Sequence, residues 1–205
     1  GLIDVHVHIC DGTTPNPIAE YTETIPFLAI QGVLNAKAFL EAGFTTVRSL
    51  GAFGYADVAV KEAINQGLVP GPDILASGEM VIADGSGERG FRRPEVHVPE
   101  SGMFTGVEGA RRAVRTQIYN GADIIKLIAS GRVGSNAYTL PWDTEMTREE
   151  MAAVCDEAHR FGKKVAAHAY SSAAVTDCVM AGVDSIEHGV LIDEATISLM
   201  AEYGT

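Results

Sequence analysis

The chain opens with Leu2-Ile3-Asp4-Val5-His6-Val7-His8, in which apolar residues surround two histidines at alternate positions. This pattern predicts a short buried strand. Because side chains along a strand point to opposite faces with a period of two, His6 and His8 share one face, about 7 Å apart. Neutral imidazoles suit zinc and similar divalent ions, so the pair could bind a metal. The alternative is two partly buried histidines on an ordinary strand, and the rest of the chain has to decide between these interpretations.

The composition indicates a compact α/β protein and excludes several classes of partner. The 205 residues are 46% hydrophobic, include 22 glycines and carry a formal net charge of −12. Without a basic run, nucleic acid and anionic membrane surfaces are not expected partners. The three cysteines, at positions 10, 155 and 178, lack CxxC spacing. We therefore expect neither a disulfide framework nor a thiolate metal site. The same cysteine usage predicts a cytoplasmic location.

The ends of the sequence predict that it is a piece of a longer protein. It begins without Met, inside a strand, and stops after a helix, where another strand should follow. Strands and helices alternate six times, a pattern typical of right-handed βα units on a parallel sheet. The predicted strands cover residues 2–8, 44–50, 73–82, 123–129, 164–168 and 183–188. The predicted helices cover residues 25–42, 57–66, 107–120, 147–162, 172–181 and 193–203, with Asp57 as one possible cap.

Three polar residues on the later predicted strands are candidate metal ligands. Lys126 lies in the middle of the apolar run Ile124-Ile125-Lys126-Leu127-Ile128, where a buried cation is costly. It could pair with a carboxylate, or its amine could be carboxylated to a carbamate that bridges two metals. His168 and His188 each end a strand, and ligands of parallel α/β folds gather at that end. Together with the first strand, this pattern favours a metal site.

The same residues resemble the amidohydrolase superfamily of metal-dependent (β/α)8 TIM-type barrel hydrolases. The resemblance rests on four motifs: residues 1–8, Ala122-Asp123-Ile124-Ile125-Lys126-Leu127, Val165-Ala166-Ala167-His168-Ala169 and Ser185-Ile186-Glu187-His188-Gly189. It covers the whole chain and looks closest to the imidazolonepropionase-related branch, which includes Xaa-Pro dipeptidases (prolidases). It implies that residues 1–205 form a partial barrel of about six βα units. Strands seven and eight, and a flanking β-sandwich, would lie outside this sequence.

By this resemblance, two divalent ions, most simply zinc, form the reaction centre. His6 and His8 would hold the first ion, His168 and His188 the second, and a carboxylated Lys126 would bridge both. A hydroxide shared by the ions would attack an amide carbonyl. The family's general-base aspartate ends strand eight, so no residue of this chain can be given that role.

The expected substrate is a small molecule or dipeptide with a free carboxylate, in an enzyme that we expect to be a homo-oligomer. Tyr170 matches a substrate-contacting tyrosine of some relatives, although it could equally fill the barrel mouth. Arg132 could clamp a carboxylate or pair with an acidic loop. His97 is the nearest substitute for a carbonyl-contacting histidine whose usual motif is missing.

Xaa-Pro dipeptidase, Arg/Lys carboxypeptidase and N-acyl-amino-acid hydrolase activity all fit this resemblance. A cyclic-amide or other C–N hydrolase, and a catalytically incomplete metal-binding fragment, remain alternatives.

Overall fold

A computed structural model describes residues 1–12, 22–86, 102–133 and 139–205. Strands and helices alternate along them except where β3, β4 and β5 follow one another, and a 3-10 turn lies at Phe53–Tyr55. The strands are β1 Leu2–Val7, β2 Phe44–Ser49, β3 Asp73–Ala76, β4 Ile82–Ala83, β5 Met103–Phe104, β6 Ile124–Ile128, β7 Lys164–Ser171 and β8 Ser185–Leu191. The helices are α1 Ile25–Glu41, α2 Ala56–Asn65, α3 Gly106–Tyr119, α4 Arg148–Arg160, α5 Ser172–Ala181 and α6 Glu194–Tyr203.

The chain divides into two compact units, the first made of residues 1–80 and 117–124. Its sheet has the order β1-β2-β3, and both pairings are parallel. Helices α1 and α2 pack against one another and cover apolar residues that include Val7, Val47 and Ile74. The parallel βα alternation that the sequence predicts is therefore present in this unit.

The prediction that the first strand is buried is wrong for most of its apolar residues. Val7 is buried, but Leu2, Ile3 and Val5 are each more than half exposed. The physical reason is the position of β1 at the edge of its sheet, where it pairs only with β2 among the described strands.

The third predicted strand, residues 73–82, is interrupted. β3 ends at Ala76, and Gly78 adopts a left-handed backbone with φ of +66° that a strand cannot continue through. Its N–H donates to Asp57 Oδ2 at 3.1 Å instead of to a neighbouring strand. Asp57 is not the cap of α2, because the helix begins one residue earlier and Asp57 lies buried in its first turn. Burial raises the pKa of this carboxyl to about 6.

The second unit contains residues 81–116 and 125–205. Its main sheet has the order β6-β7-β8, with β7 and β8 parallel, and β4 pairs with β5 in a small parallel sheet. All five residues of β6 are buried. Helix α5 packs against both α4 and α6. The short β5 was not predicted, and it lies shortly before the predicted third helix, residues 107–120.

Helix starts in the second unit follow the sequence closely. Thr147 and Glu150 form a capping box at α4, with Thr147 N–H donating to Glu150 Oε2 at 2.9 Å. Asp193 Oδ1 accepts from the Thr196 N–H at 2.8 Å and caps α6. Among the described residues, no helix has both the length and the apolar character needed to span a bilayer.

Candidate metal centre

The two histidines of the first unit lie together, as their spacing predicts. The centroids of the His6 and His8 rings are 5.4 Å apart, and the ring planes meet at 63°. His8 Nδ1 lies 3.3 Å from the carbonyl oxygen of Gly51. Because a carbonyl only accepts, this contact makes Nδ1 the donor and leaves the lone pair of the neutral ring on Nε2. Such a lone pair is the part of an imidazole that binds a metal.

In the second unit, Lys126 occupies the centre of β6 and is only 2% exposed. A cation at such a depth has lost most of its hydration and requires compensation by opposite charge or by chemical change. Its positive charge also contributes to lowering the pKa of His168, which places the two side chains in one electrostatic environment.

His168, on β7, has the properties of a neutral ligand. Burial, and then the charges of Lys126 and His188, lower its pKa to about 3, while a hydrogen bond to the Gly131 backbone acts in the opposite direction. The imidazole is therefore neutral at pH 7. Within the described parts of the chain, its buried Nε2 has no hydrogen-bond partner. The bond to Gly131 thus falls to Nδ1, which leaves a desolvated lone pair on Nε2.

His188 and Tyr170 form a cluster of three rings with His168. The His168 and His188 centroids are 4.7 Å apart, and the Tyr170 centroid lies 5.0 Å from His168 and 4.9 Å from His188. Tyr170 and His188 are stacked, with only 7° between their planes. Glu187 is 5% exposed and accepts a hydrogen bond from the Ser185 hydroxyl at 3.0 Å, so it belongs to the packed interior.

Arg132 and His97 are the other two candidate substrate contacts. The charge of Arg132 is among the influences that lower the pKa of His168, so this half-buried guanidinium acts in the same environment. His97 lies outside the described residues. The structure therefore brings Lys126, His168, His188, Tyr170 and Arg132 into one region of the second unit.

The chemistry of these donors fits a divalent ion. No group of three or more His, Cys, Asp or Glu side chains in the described ranges lies close enough to hold one ion. His168 and His188 form a pair, as do His6 and His8. For the pair in the second unit, a carbamate on Lys126 is a third ligand of the right kind. The desolvated Nε2 of His168 is the observation that favours a metal there.

Ser130, which the sequence pattern did not single out, contacts this cluster through Tyr170. The Ser130 hydroxyl is buried, accepts from the Tyr170 N–H at 3.1 Å and donates to the Gly131 carbonyl at 3.0 Å. A Cβ on Gly131 would lie 2.3 Å from the Leu140 carbonyl oxygen, so only glycine fits. The available signal was a Ser-Gly pair directly after a buried strand.

Comparison with known proteins agrees with this geometry. The model of the family described as "Amidohydrolase family" matches residues 1–205. The chain belongs to the amidohydrolase family. The superfamily predicted from the four motifs is therefore confirmed.

The similar proteins include a curated enzyme and solved structures. The chain is 32% identical to the ochratoxinase of Aspergillus niger, with all of the chain and 45% of that protein aligned. A Xaa-Pro dipeptidase with bound methionine is 33% identical, with a TM-score of 0.91 and 52% of its chain covered. A prolidase complexed with n-methylphosphonate-l-proline is 36% identical, with a TM-score of 0.89 and 51% of its chain covered. Both structures align with all of this chain, which spans about half the length of these relatives.

Proposed function

We propose that this amidohydrolase chain is part of a metal-dependent hydrolase that cleaves the C–N bond of an amide or peptide. The observation that carries the proposal is the neutral, buried His168, whose Nε2 lacks a hydrogen-bond partner among the described residues while Lys126 and His188 lie in the same region. Membership of the family and similarity to an ochratoxinase and to prolidases support the same reaction class.

The metal ligands of the proposal are five residues. His168 and His188 would hold one ion, His6 and His8 the other, and Lys126, carboxylated on its amine, would contribute an oxygen to each. When bound, two divalent ions such as zinc would supply a water-derived nucleophile at neutral pH and polarise the scissile carbonyl. The hydrogen bonds of His8 to Gly51 and of His168 to Gly131 fix the tautomers that leave Nε2 as the ligand atom.

For the substrate we propose a dipeptide or N-acyl amino acid with a free carboxylate. One solved relative contains bound methionine and another a phosphonate derivative of proline, and the positive charge of Arg132 acts on His168. A guanidinium can bind a carboxylate through two parallel hydrogen bonds, which would orient the amide toward the metals. Tyr170 and His97 remain the other proposed substrate contacts.

We also propose that the complete protein closes an eight-stranded (β/α)8 barrel. The described strands form three separate sheets, and the relatives are about twice as long as this chain. The remaining strands, and the aspartate proposed as general base, would be supplied by the rest of such a protein.

The test uses the intact protein, stripped of metal by a chelator and then reloaded with zinc, cobalt or manganese in separate samples. Metal content is measured by mass spectrometry. Hydrolysis is then followed on a panel made of Xaa-Pro dipeptides, Xaa-Arg dipeptides, N-acyl amino acids and ochratoxin. Each dipeptide and N-acyl amino acid is paired with its C-terminally amidated form.

We expect two metal equivalents and hydrolysis of at least one free-carboxylate substrate, with activity lost on chelation and regained on reloading. Turnover that is unchanged in the stripped protein would overturn the metal dependence. Metal binding without turnover of any panel member would favour the catalytically incomplete alternative. Equal turnover of the free and amidated forms would contradict the proposed substrate class.

A further inference from the structure

Strand β8 contains an irregularity directly after His188. One residue of β7, Tyr170, faces two residues of β8, Gly189 and Val190. The pairs on either side are Ala169 with His188 and Ser171 with Leu191. An extra residue in one strand is a β-bulge, which bends the strand and redirects the side chain beside it. The backbone agrees, because His188 has φ of +75° and Gly189 has φ of +56°.

The bulge brings the His188 ring flat against Tyr170. Their centroids are 4.9 Å apart and their planes are almost parallel, at 7°. This separation lies in the range of offset aromatic stacking, about 4.5–7 Å, in which ring pairs stabilise one another. His168 meets His188 edge-on, at 71°, so the stack also fixes the angle between the two imidazoles.

Tyr170 is anchored to the end of the neighbouring strand through its backbone. Its N–H donates to the buried Ser130 hydroxyl at the end of β6, and Tyr170 itself is half-buried. His188 is exposed and lies on the outer strand of its sheet. A non-glycine residue in the left-handed region persists only when its surroundings compensate the strain of that backbone conformation. The face of the Tyr170 ring is one such compensating contact.

We propose that Tyr170 is a positioning residue for His188. Its ring face, rather than its hydroxyl, holds the imidazole at the angle at which His168 and His188 can bind one ion. This inference rests on the proposed metal centre, and it gives Tyr170 a role that is separate from contact with the substrate.

Two substitutions in the intact protein test the role of the ring. Tyr170→Phe keeps the aromatic face and removes the hydroxyl, whereas Tyr170→Leu keeps an apolar side chain and removes the face. Zinc affinity is measured by competition with a chromophoric chelator. We expect Phe to retain the affinity of the wild type, and Leu to weaken the second zinc equivalent by about 10- to 100-fold, as is usual when support of a metal ligand is removed.

A measurement on the metal-free protein adds a readout that needs neither metal nor activity. Stacking on an aromatic face shifts the proton resonances of the His188 ring, which are assigned by their loss in His188→Gln. We expect the shift in the wild type and in Tyr170→Phe, and its absence in Tyr170→Leu. Tyr170→Met replaces the Leu variant in both measurements if that variant does not fold.

The outcomes separate this inference from the proposed function. Full affinity for two ions in Tyr170→Leu would overturn the positioning role and leave the metal centre intact. Loss of the second ion in Tyr170→Phe would assign the effect to the hydroxyl and also overturn it. A wild type that binds no divalent ion would remove the metal centre itself, and the positioning role with it, even if the ring shift is present.

Discussion

Lys126 lies at the centre of a strand whose five residues are all buried. An ammonium ion that is fully buried without a compensating charge destabilises the fold by on the order of several kcal/mol. Addition of carbon dioxide to the neutral amine would form an N–C bond, release a proton and leave a carbamate of charge −1. That charge suits a position between two cations, whereas the ammonium ion would repel them.

Replacement of Lys126 therefore provides the most direct prediction at the residue scale. We expect Lys126→Ala to bind no more than one metal equivalent where the wild type binds two, because each ion loses the ligand that the carbamate would contribute. Lys126→Met is the matched control for volume, since it fills the same apolar space without an amine. Metal content and the melting temperature of the stripped proteins are measured together.

The same experiment separates a ligand role from a packing role. Lys126→Met should have a melting temperature closer to that of the stripped wild type than Lys126→Ala does, because it fills more of the buried volume. Reloading the wild type in buffer freed of carbon dioxide should also give less bound metal than reloading in bicarbonate. Two tightly held ions in either variant would contradict the bridging role.

Arg132 carries the prediction about substrate selection. If its guanidinium clamps the substrate carboxylate, Arg132→Met should raise KM for free-carboxylate substrates by about 10- to 100-fold, since charge-assisted hydrogen bonds contribute about 1.5–3 kcal/mol. Amidated substrates should be unaffected. Arg132→Lys keeps the charge but not the paired donors, so it should recover only part of the loss. Equal effects on free and amidated substrates, measured by steady-state kinetics, would refute the clamp.

At the scale of elements, helices α3 and α4 are joined by a carboxylate that is almost completely buried. The Glu157 side chain is 1% exposed and contacts Arg115 Nε at 2.7 Å and Arg111 Nη1 at 3.2 Å. We expect Glu157→Gln to lower the melting temperature by about 5 °C, because it removes charge-assisted bonds and leaves two guanidinium groups without this partner. Asp156→Asn is the control, because Asp156 also contacts Arg111 but is more than half exposed.

The pH dependence of this contact has a defined sign. Hydrogen bonds from Arg115 and then Arg111 hold the pKa of Glu157 below its ordinary value of 4.5, although burial acts in the opposite direction. A lowered pKa in the folded state means that the stabilisation is present above pH 4.5 and is lost as the pH falls below it. The difference in melting temperature between wild type and Glu157→Gln should therefore shrink below pH 4.5, and a constant difference would contradict the assignment.

Element boundaries show which parts of the fold the sequence could predict. All six helices of the described chain begin and end within a few residues of the predicted positions, because caps such as Thr147 and Asp193 are local signals. The break after Ala76 could not be predicted in the same way. It depends on a hydrogen bond between Gly78 and Asp57, residues of different elements that only the folded chain brings together.

The candidate site also combines features that the sequence can predict with features that it cannot. The spacing of His6 and His8 and the positions of His168 and His188 on two predicted strands are local properties, and the structure finds each pair in contact. The prediction that His168 and His188 end their strands is wrong, because β7 and β8 each continue for three residues beyond them. The bulge after His188 and the support of Tyr170 by Ser130 depend on the register between strands. Sequence periodicity places side chains on a face, but it does not give the register or the rotation of a ring.

At the scale of the whole molecule, two outer strands carry exposed apolar residues. In β1, Leu2, Ile3 and Val5 are 57–64% exposed, and in β8, Val190 and Leu191 are 64% and 49% exposed. Each strand forms one edge of its own sheet. Apolar edge strands with unpaired backbone groups are templates for association with other chains. A protein that covers them, as the proposed closed barrel would, should not have this tendency.

We therefore expect the 205-residue chain, produced on its own, to self-associate in analytical ultracentrifugation. Ile3→Lys combined with Val190→Lys should lower the average mass toward the 21.7 kDa of a single chain, because a charge on each edge opposes strand pairing. Tyr119→Lys is the matched control: this residue is 89% exposed, but it ends helix α3 and lies on no edge strand. If Tyr119→Lys restores the single chain while the double variant does not, association runs through another surface, and the two edges are not the faces that a longer protein would cover.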